Sequence, residues 1–219
     1  VWQAIAGDGE GRERFKRRLE AFSDIVFGLS LSQLALQLEL PAKASDLVDH
    51  PLRFALFFGT FALICLTWLV HHRMFQLAFE PEGLDVALNF TYLAFVAALP
   101  FAMQVNVRFA GTETGFAFYV ADFVGTSIPM FCLLQRGLAR RNPKLNDVQR
   151  LELWRAVVRS RMVLGASLVS LALIPLIGAG LAWIPFPLLG AGATIVRRVV
   201  KTVPERYRPS PERATPNRA

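Results

Sequence analysis

The groups in this chain that could do chemistry are few: a histidine pair at His71 and His72, a lone acid at Asp122 inside an apolar run, and a set of hydroxyl and amide side chains in the first apolar stretch. Adjacent histidines suggest a metal, but neighbours on a helix point about 100° apart. No cysteine or carboxylate stands at ligand spacing to them, so a metal site is not expected. Two hexamers, opened by Pro175 and Pro187, repeat the pattern P-L-x-G-A-G. Neither follows a strand, so their G-x-G reads as small residues for close helix contact and not as a nucleotide loop. There is no H-E-x-x-H, no G-x-S-x-G and no close carboxylate pair in an apolar run, and an enzyme is not expected.

The first apolar stretch is the unusual one, because Ser30, Ser32, Gln33 and Gln37 stand where lipid penalises polar groups. At helical spacing Ile25, Leu29, Ser32, Gln33 and Leu36 share one face, alternating apolar rings with oxygen-bearing groups. Several copies of that face around an axis would line a narrow pore. The same pattern also suits a helix packed closely on others through Gly28, Ser30 and Ser32. Spacing alone leaves both readings open.

These residues need elements to position them, and composition says which kind. Of 219 residues, 53% are hydrophobic and 19% charged, with mean hydropathy +0.39. Disorder is excluded and an ordinary water-soluble domain disfavoured. The runs 54–70, 86–107 and 162–196 carry no Asp, Glu, Lys or Arg, and 115–135 carries only Asp122. A helix needs about 20 mostly apolar residues to cross the roughly 30 Å hydrocarbon layer. Each run holds one span, except that the 35 residues of 162–196 are too long for one and contain Gly178, Gly180, Pro185 and Pro187. Split there and joined by a first span over 19–40, they predict an all-α integral membrane protein with six transmembrane helices per subunit.

The segments between the spans alternate sides, and 21 of the 24 Lys and Arg fall on one of them. By the positive-inside tendency both termini are cytoplasmic. The same tendency accounts for the net charge of +7 and pI near 10.1. Basic residues follow topology, so no nucleic-acid partner is expected. The organisation read from this is a cytoplasmic arm over 1–17, a membrane domain over 18–202 and a Pro-rich, charged, disordered tail over 203–219. The first apolar run follows about 20 polar residues and lacks a small-residue cleavage site, which argues against a cleavable signal. Cys65 and Cys132 fall inside spans and read as small buried apolar residues.

Arg18, Ser23 and Asp24 open the first span and need polar partners at that depth. Trp68, His71 and Asn89, at the corresponding ends of the second and third spans, are the candidates for a network that holds the first helix in place. Asp122 could pair with Arg108 near the outer boundary, and that pairing is favoured over a functional acid.

The run Arg18-Leu19-Glu20-Ala21-Phe22-Ser23-Asp24 resembles the R-x-x-x-F-S-D signature of the TMEM175 family of potassium channels. Trp68-Leu69-Val70-His71-His72 at the end of the second span resembles family features, as do Leu88-Asn89 and Leu99-Pro100-Phe101 in the third. Together these cover about the first half of the chain. The resemblance implies a potassium-permeable channel, lined by the first helix of each repeat and needing no organic cofactor. One repeat here implies a homotetramer in a bacterial or archaeal plasma membrane. It also implies that Leu29 forms the tightest ring, that Ser32 stands where threonine is usual, that Leu36 forms a second apolar ring, and that K+ passes near Leu29 and Ser32. Gln33 departs from the usual aliphatic residue and Gly28 from the usual alanine. The alternative is a secondary transporter of a small cation or solute, at which only the Pro and Gly cluster near 174–192 hints.

Overall fold

The computed structural model describes residues 9–38, 51–140, 145–181 and 194–207. Five long helices follow one another: α1 Gly9–Leu36, α2 Pro51–Leu77, α3 Gly83–Arg108, α4 Glu113–Ala139 and α5 Asp147–Leu181. A helical stretch at 194–199 and a 3-10 turn at Glu205–Tyr207 come after them. All five long helices have the length and apolar composition to cross a membrane. The all-α class and the multi-pass membrane architecture therefore hold, with five spans among the described residues. The sixth was expected in the second part of 162–196, most of which lies outside them.

Helix is the form these runs must take, because a bilayer offers backbone N–H and C=O groups no water to bond. Pro100 and Pro129 sit inside α3 and α4 without ending them. The break expected in the long fifth run does appear, at Gly178, whose φ of 75° leaves the helical region. α1 lies against α3 and α2, α3 against α4, and α4 against α5. A Cβ added to Gly137 would strike Ala78, so glycine there lets the end of α4 press against the end of α2. The main core runs from Phe27 and Leu34 of α1 through Ile64, Met74 and Phe75 of α2 to Val96 and Leu99 of α3 and Leu133 of α4. A smaller core joins Phe116 and Val120 of α4 to Ile174 of α5.

Two boundaries differ from those expected. Helix α1 begins at Gly9, so the later part of the expected arm is continuous with the first span. Disorder was expected from residue 203, yet Val203 and Tyr207 are buried. The Tyr207 ring lies 5.6 Å from that of Trp154, and its hydroxyl accepts a 3.0 Å hydrogen bond from Gln135. Composition marks that segment as polar, but one aromatic residue with a polar tip is enough to dock it.

Candidate functional site

α1 divides into two faces. Leu19, Ser23, Phe27, Ser30 and Leu34 are buried against the rest of the protomer, with Phe27 2% and Leu34 0% exposed. Ile25, Leu29 and Leu36 are 60%, 64% and 79% exposed, and Ser32 and Gln33 are exposed beside them. The five residues picked out by spacing thus form one stripe that no other part of the described protomer covers. The serines satisfy their donors within the helix: Ser30 Oγ donates to Val26 O at 2.8 Å and Ser32 Oγ to Gly28 O at 3.0 Å. With its proton directed inward, the Ser32 oxygen presents lone pairs outward on the uncovered stripe, the polarity a cation requires. A Cβ on Gly28 would meet nothing within 4 Å, so the protomer does not use that glycine for close packing.

The buried face is anchored by a short polar chain. Ser23 Oγ donates to Leu19 O at 2.8 Å and accepts from Asn89 Nδ2 at 3.5 Å. Asn89 Oδ1 faces His71 Nε2 at 2.8 Å, so with the amide in this orientation Nε2 carries the imidazole proton and donates it. The His71 ring stacks on Tyr92 at 5.3 Å and 7°, and Phe27 of α1 lies 5.4 Å from it. Tyr92 in turn donates to Thr67 O at 3.0 Å. At the rim Trp68 Nε1 donates to Asp24 Oδ1 at 2.8 Å, and Phe22 meets Phe90 edge-on at 6.0 Å. Three helices are tied at one level by side chains from each.

Adjacent as they are, His71 and His72 serve different neighbours. His72 Nδ1 approaches Glu20 Oε1 at 3.1 Å, and its Nε2 lies 2.8 Å from Gln76 Nε2. With the amide donating to Nε2, Nδ1 carries the proton and donates to the carboxylate, a second tie between α1 and α2. Sequence reading overlooked Glu20 here, although its place four residues before Asp24 puts both acids on the same side of α1.

Two expectations are corrected. Arg18 is exposed and joins no hydrogen bond or ion pair among the described residues, so the structure brings Ser23 and Asp24 into the network without it. Among the described residues no ion pair joins Arg108 to Asp122. Arg108 ends α3, whereas Asp122 lies nine residues into α4, about 14 Å deeper along the helix. Asp122 is buried, with Oδ2 unbonded among the described residues.

A charge cluster at the same end of the bundle also went unnoticed in the sequence. Asp85, in the first turn of α3 and fully buried, lies 2.6 Å from both Arg136 Nε of α4 and Nη2 of Arg140, which caps that helix. Glu82 takes the same two arginines at 3.3 and 3.0 Å, and Arg140 also donates to Ala78 O at 3.1 Å. The signal was available: Arg136 and Arg140 are four apart at the end of one span, and Asp85 opens the antiparallel span before it.

Residues 18–100, which contain the uncovered stripe and all of its anchors, match the model of a family described as endosomal/lysosomal potassium channel TMEM175. The likeness to that family lies in this segment, which is less than half of the chain. A TMEM175 of Gallus gallus, named an endosomal/lysosomal proton channel, is 32% identical over 109 residues, covering 43% of this chain and 22% of its own. A protein of Chryseobacterium sp. (strain P1-3), named a potassium channel, is 30% identical over 91 residues, covering 41% of this chain and 47% of its own. The chain thus spans about a fifth of the animal relative and just under half of the bacterial one. Among solved structures, a TMEM175 homolog from Chamaesiphon minutus, titled a lysosomal potassium-selective channel homolog, superposes with a TM-score of 0.64 at 21% identity. That match covers 86% of this chain and 100% of the other, and at such identity it shows a shared fold alone. A variant of MtTMEM175 bound to a Nanobody-MBP fusion gives a TM-score of 0.59 at 18% identity.

Proposed function

We propose that this protein is a potassium-permeable channel, assembled as a homotetramer in which four copies of α1 surround the axis. The observation that carries the reading is the uncovered stripe of Ile25, Leu29, Ser32, Gln33 and Leu36 on a helix whose opposite face is fixed in the protomer. An apolar stripe alone would suit lipid. Serine and glutamine at its centre suit water and ions.

In this reading Leu29 and Leu36 form apolar constrictions in place of a carbonyl filter. A leucine ring offers no oxygen ligands, so it narrows and dewets the path, while the outward lone pairs of Ser32 replace part of the hydration shell of K+. Gln33 adds an amide oxygen between the two rings, where a second aliphatic residue would make a drier gate. The network of Ser23, Asp24, Trp68, His71 and Asn89 holds the angle of α1, and with it the diameter of the rings. Phe22 packs at its edge. Passive conduction requires no organic cofactor. The charge distribution supports cytoplasmic termini in a plasma membrane.

The name of the bacterial relative supports potassium as the permeant ion, whereas that of the animal relative points to protons. Purified protein in liposomes under a K+ gradient, with a voltage-sensitive dye outside and a pH-sensitive dye inside, separates these. The expected result is a K+ diffusion potential without matching acidification and without a co-substrate; a coupled ion requirement would indicate a transporter. Leu29→Ala is expected to raise the flux several-fold and to narrow the preference for K+ over Na+. Flux and preference identical to the parent would remove Leu29 from the constriction.

A further inference from the structure

We infer that the cytoplasmic end of the α2–α5 face binds an anionic phospholipid of the adjoining leaflet through Arg73 and Arg159, with Arg155 and Arg197 close by. The inference rests on the orientation proposed above only for the name of the leaflet.

Two arginine clusters stand at this end of the bundle, and they are built differently. Arg136 and Arg140 are neutralised by Asp85 and Glu82. Around Arg159 the charges nearest in effect are Arg197, Arg73 and Arg155, against the single acid Glu152. Arg159 is half-buried, and neither it nor Arg73 makes an ion pair or hydrogen bond among the described residues. Topology would be satisfied by basic residues spread through the loops. Here they converge from three elements: Arg73 from α2 lines one notch with Arg159 of α5, and Arg155 of α5 reaches Arg197 O of the helical stretch 194–199 at 3.4 Å. That stretch is drawn in by Arg155, whose Nε donates to Val200 O at 2.9 Å. Like charges so gathered repel, and an anion resolves the repulsion.

Depth identifies the anion. The charge-free run of α2 ends at Val70 and that of α5 begins at Met162, so Arg73 and Arg159 stand just outside the hydrocarbon boundary. Both line one notch, together with Glu152, whose single negative charge the two arginines outnumber, and apolar Val70, Leu77 and Ala156. Its volume of about 30 Å³ is one water's share of liquid, too little to enclose a headgroup but enough to seat one phosphate oxygen. The rest of such a ligand must lie outside, along the exposed Leu66, Leu69 and Val70 of α2. A phosphodiester with acyl chains fits that layout; a free phosphate uses only its polar half.

Native mass spectrometry of the full chain, purified from membranes containing phosphatidylglycerol and phosphatidylcholine and passed through detergent exchange, tests this. The parent is expected to retain phosphatidylglycerol about tenfold over phosphatidylcholine, and Arg73→Gln/Arg159→Gln to lose at least about fivefold of that preference. Arg73→Gln alone, at an exposed position, covers the case in which the double variant does not fold, and is expected to lose about twofold. Arg198→Gln removes the same charge from the neighbouring position and is expected to leave retention unchanged. Equal retention in parent and variants, or an equal loss in Arg198→Gln, would overturn the site. Displacement of the lipid by millimolar glycerol phosphate would show that headgroup charge alone suffices and would overturn the lipid assignment. Binding is read without current, so its failure leaves the channel reading standing, and the reverse.

Discussion

The two faces of α1 are built from similar residues and do opposite things. Each carries leucine and serine, but Leu34 is sealed in the core while Leu29, five residues earlier, is largely open. On the buried side Ser23 and Ser30 also bond back to their own helix, but Ser23 takes a second partner in Asn89, which in turn meets His71. On the open side the hydroxyl bonds back to its own helix and leaves its oxygen outward. The difference teaches that the protomer fixes where α1 stands and leaves its other face for something the protomer does not contain.

Matched substitutions break or sharpen that contrast. Leu34→Ala is expected to cost roughly 2–4 kcal/mol and most of the folded yield, read by thermal melting in detergent, because it opens a cavity in a closed core. Leu29→Ala is expected to stay within about 0.5 kcal/mol of the parent in the same assay. Equal losses would place Leu29 in a packed interior and collapse the contrast. Next in size, Asn89→Leu leaves His71 and Ser23 without their shared partner, at a cost of about 2 kcal/mol. Replacement of Asn89 by Asp, which keeps the acceptor for His71, is expected to recover part of it. Asp24→Ala removes a charge-assisted bond at a partly exposed rim, with an expected loss near 1 kcal/mol and a measurable shift in the fluorescence of the Trp68 region. Smallest is Gly28→Ala: with open space around the new Cβ and helical backbone, up to about 1 kcal/mol of stabilisation is expected. A drop in melting temperature would instead show a partner helix seated on Gly28.

Much of this was legible in the sequence because lipid imposes simple rules. Charge-free runs of the right length became α2, α3 and α4, and the 3.6-residue period grouped Ile25, Leu29, Ser32, Gln33 and Leu36, which the fold leaves exposed together. Ser23, Asp24, Trp68, His71 and Asn89 were found as polar groups at matching depth, which needs only topology. Pairings that depend on rotation about a helix axis were not legible. Arg18 shares the signature with Asp24 yet stands outside the network, and Arg108 ends α3 while Asp122 lies well inside α4, at unequal depths. Asp85 was passed over because an acid at a span boundary looks like a solvated end, and only the fold shows it fully buried between two arginines. Tyr207 was lost in a polar segment whose composition outweighs one aromatic ring.

The central claim is that the open stripe of α1 lines the ion path. It is tested most directly by silver-ion block of K+ current in bilayers, with single cysteines placed in a background lacking Cys65 and Cys132. Cysteine at Leu29 or at Leu36 should give rapid, irreversible block, and cysteine at the exposed Leu66 of α2 should give none. Current that survives silver at both stripe positions, or is lost only at Leu66, would contradict the account.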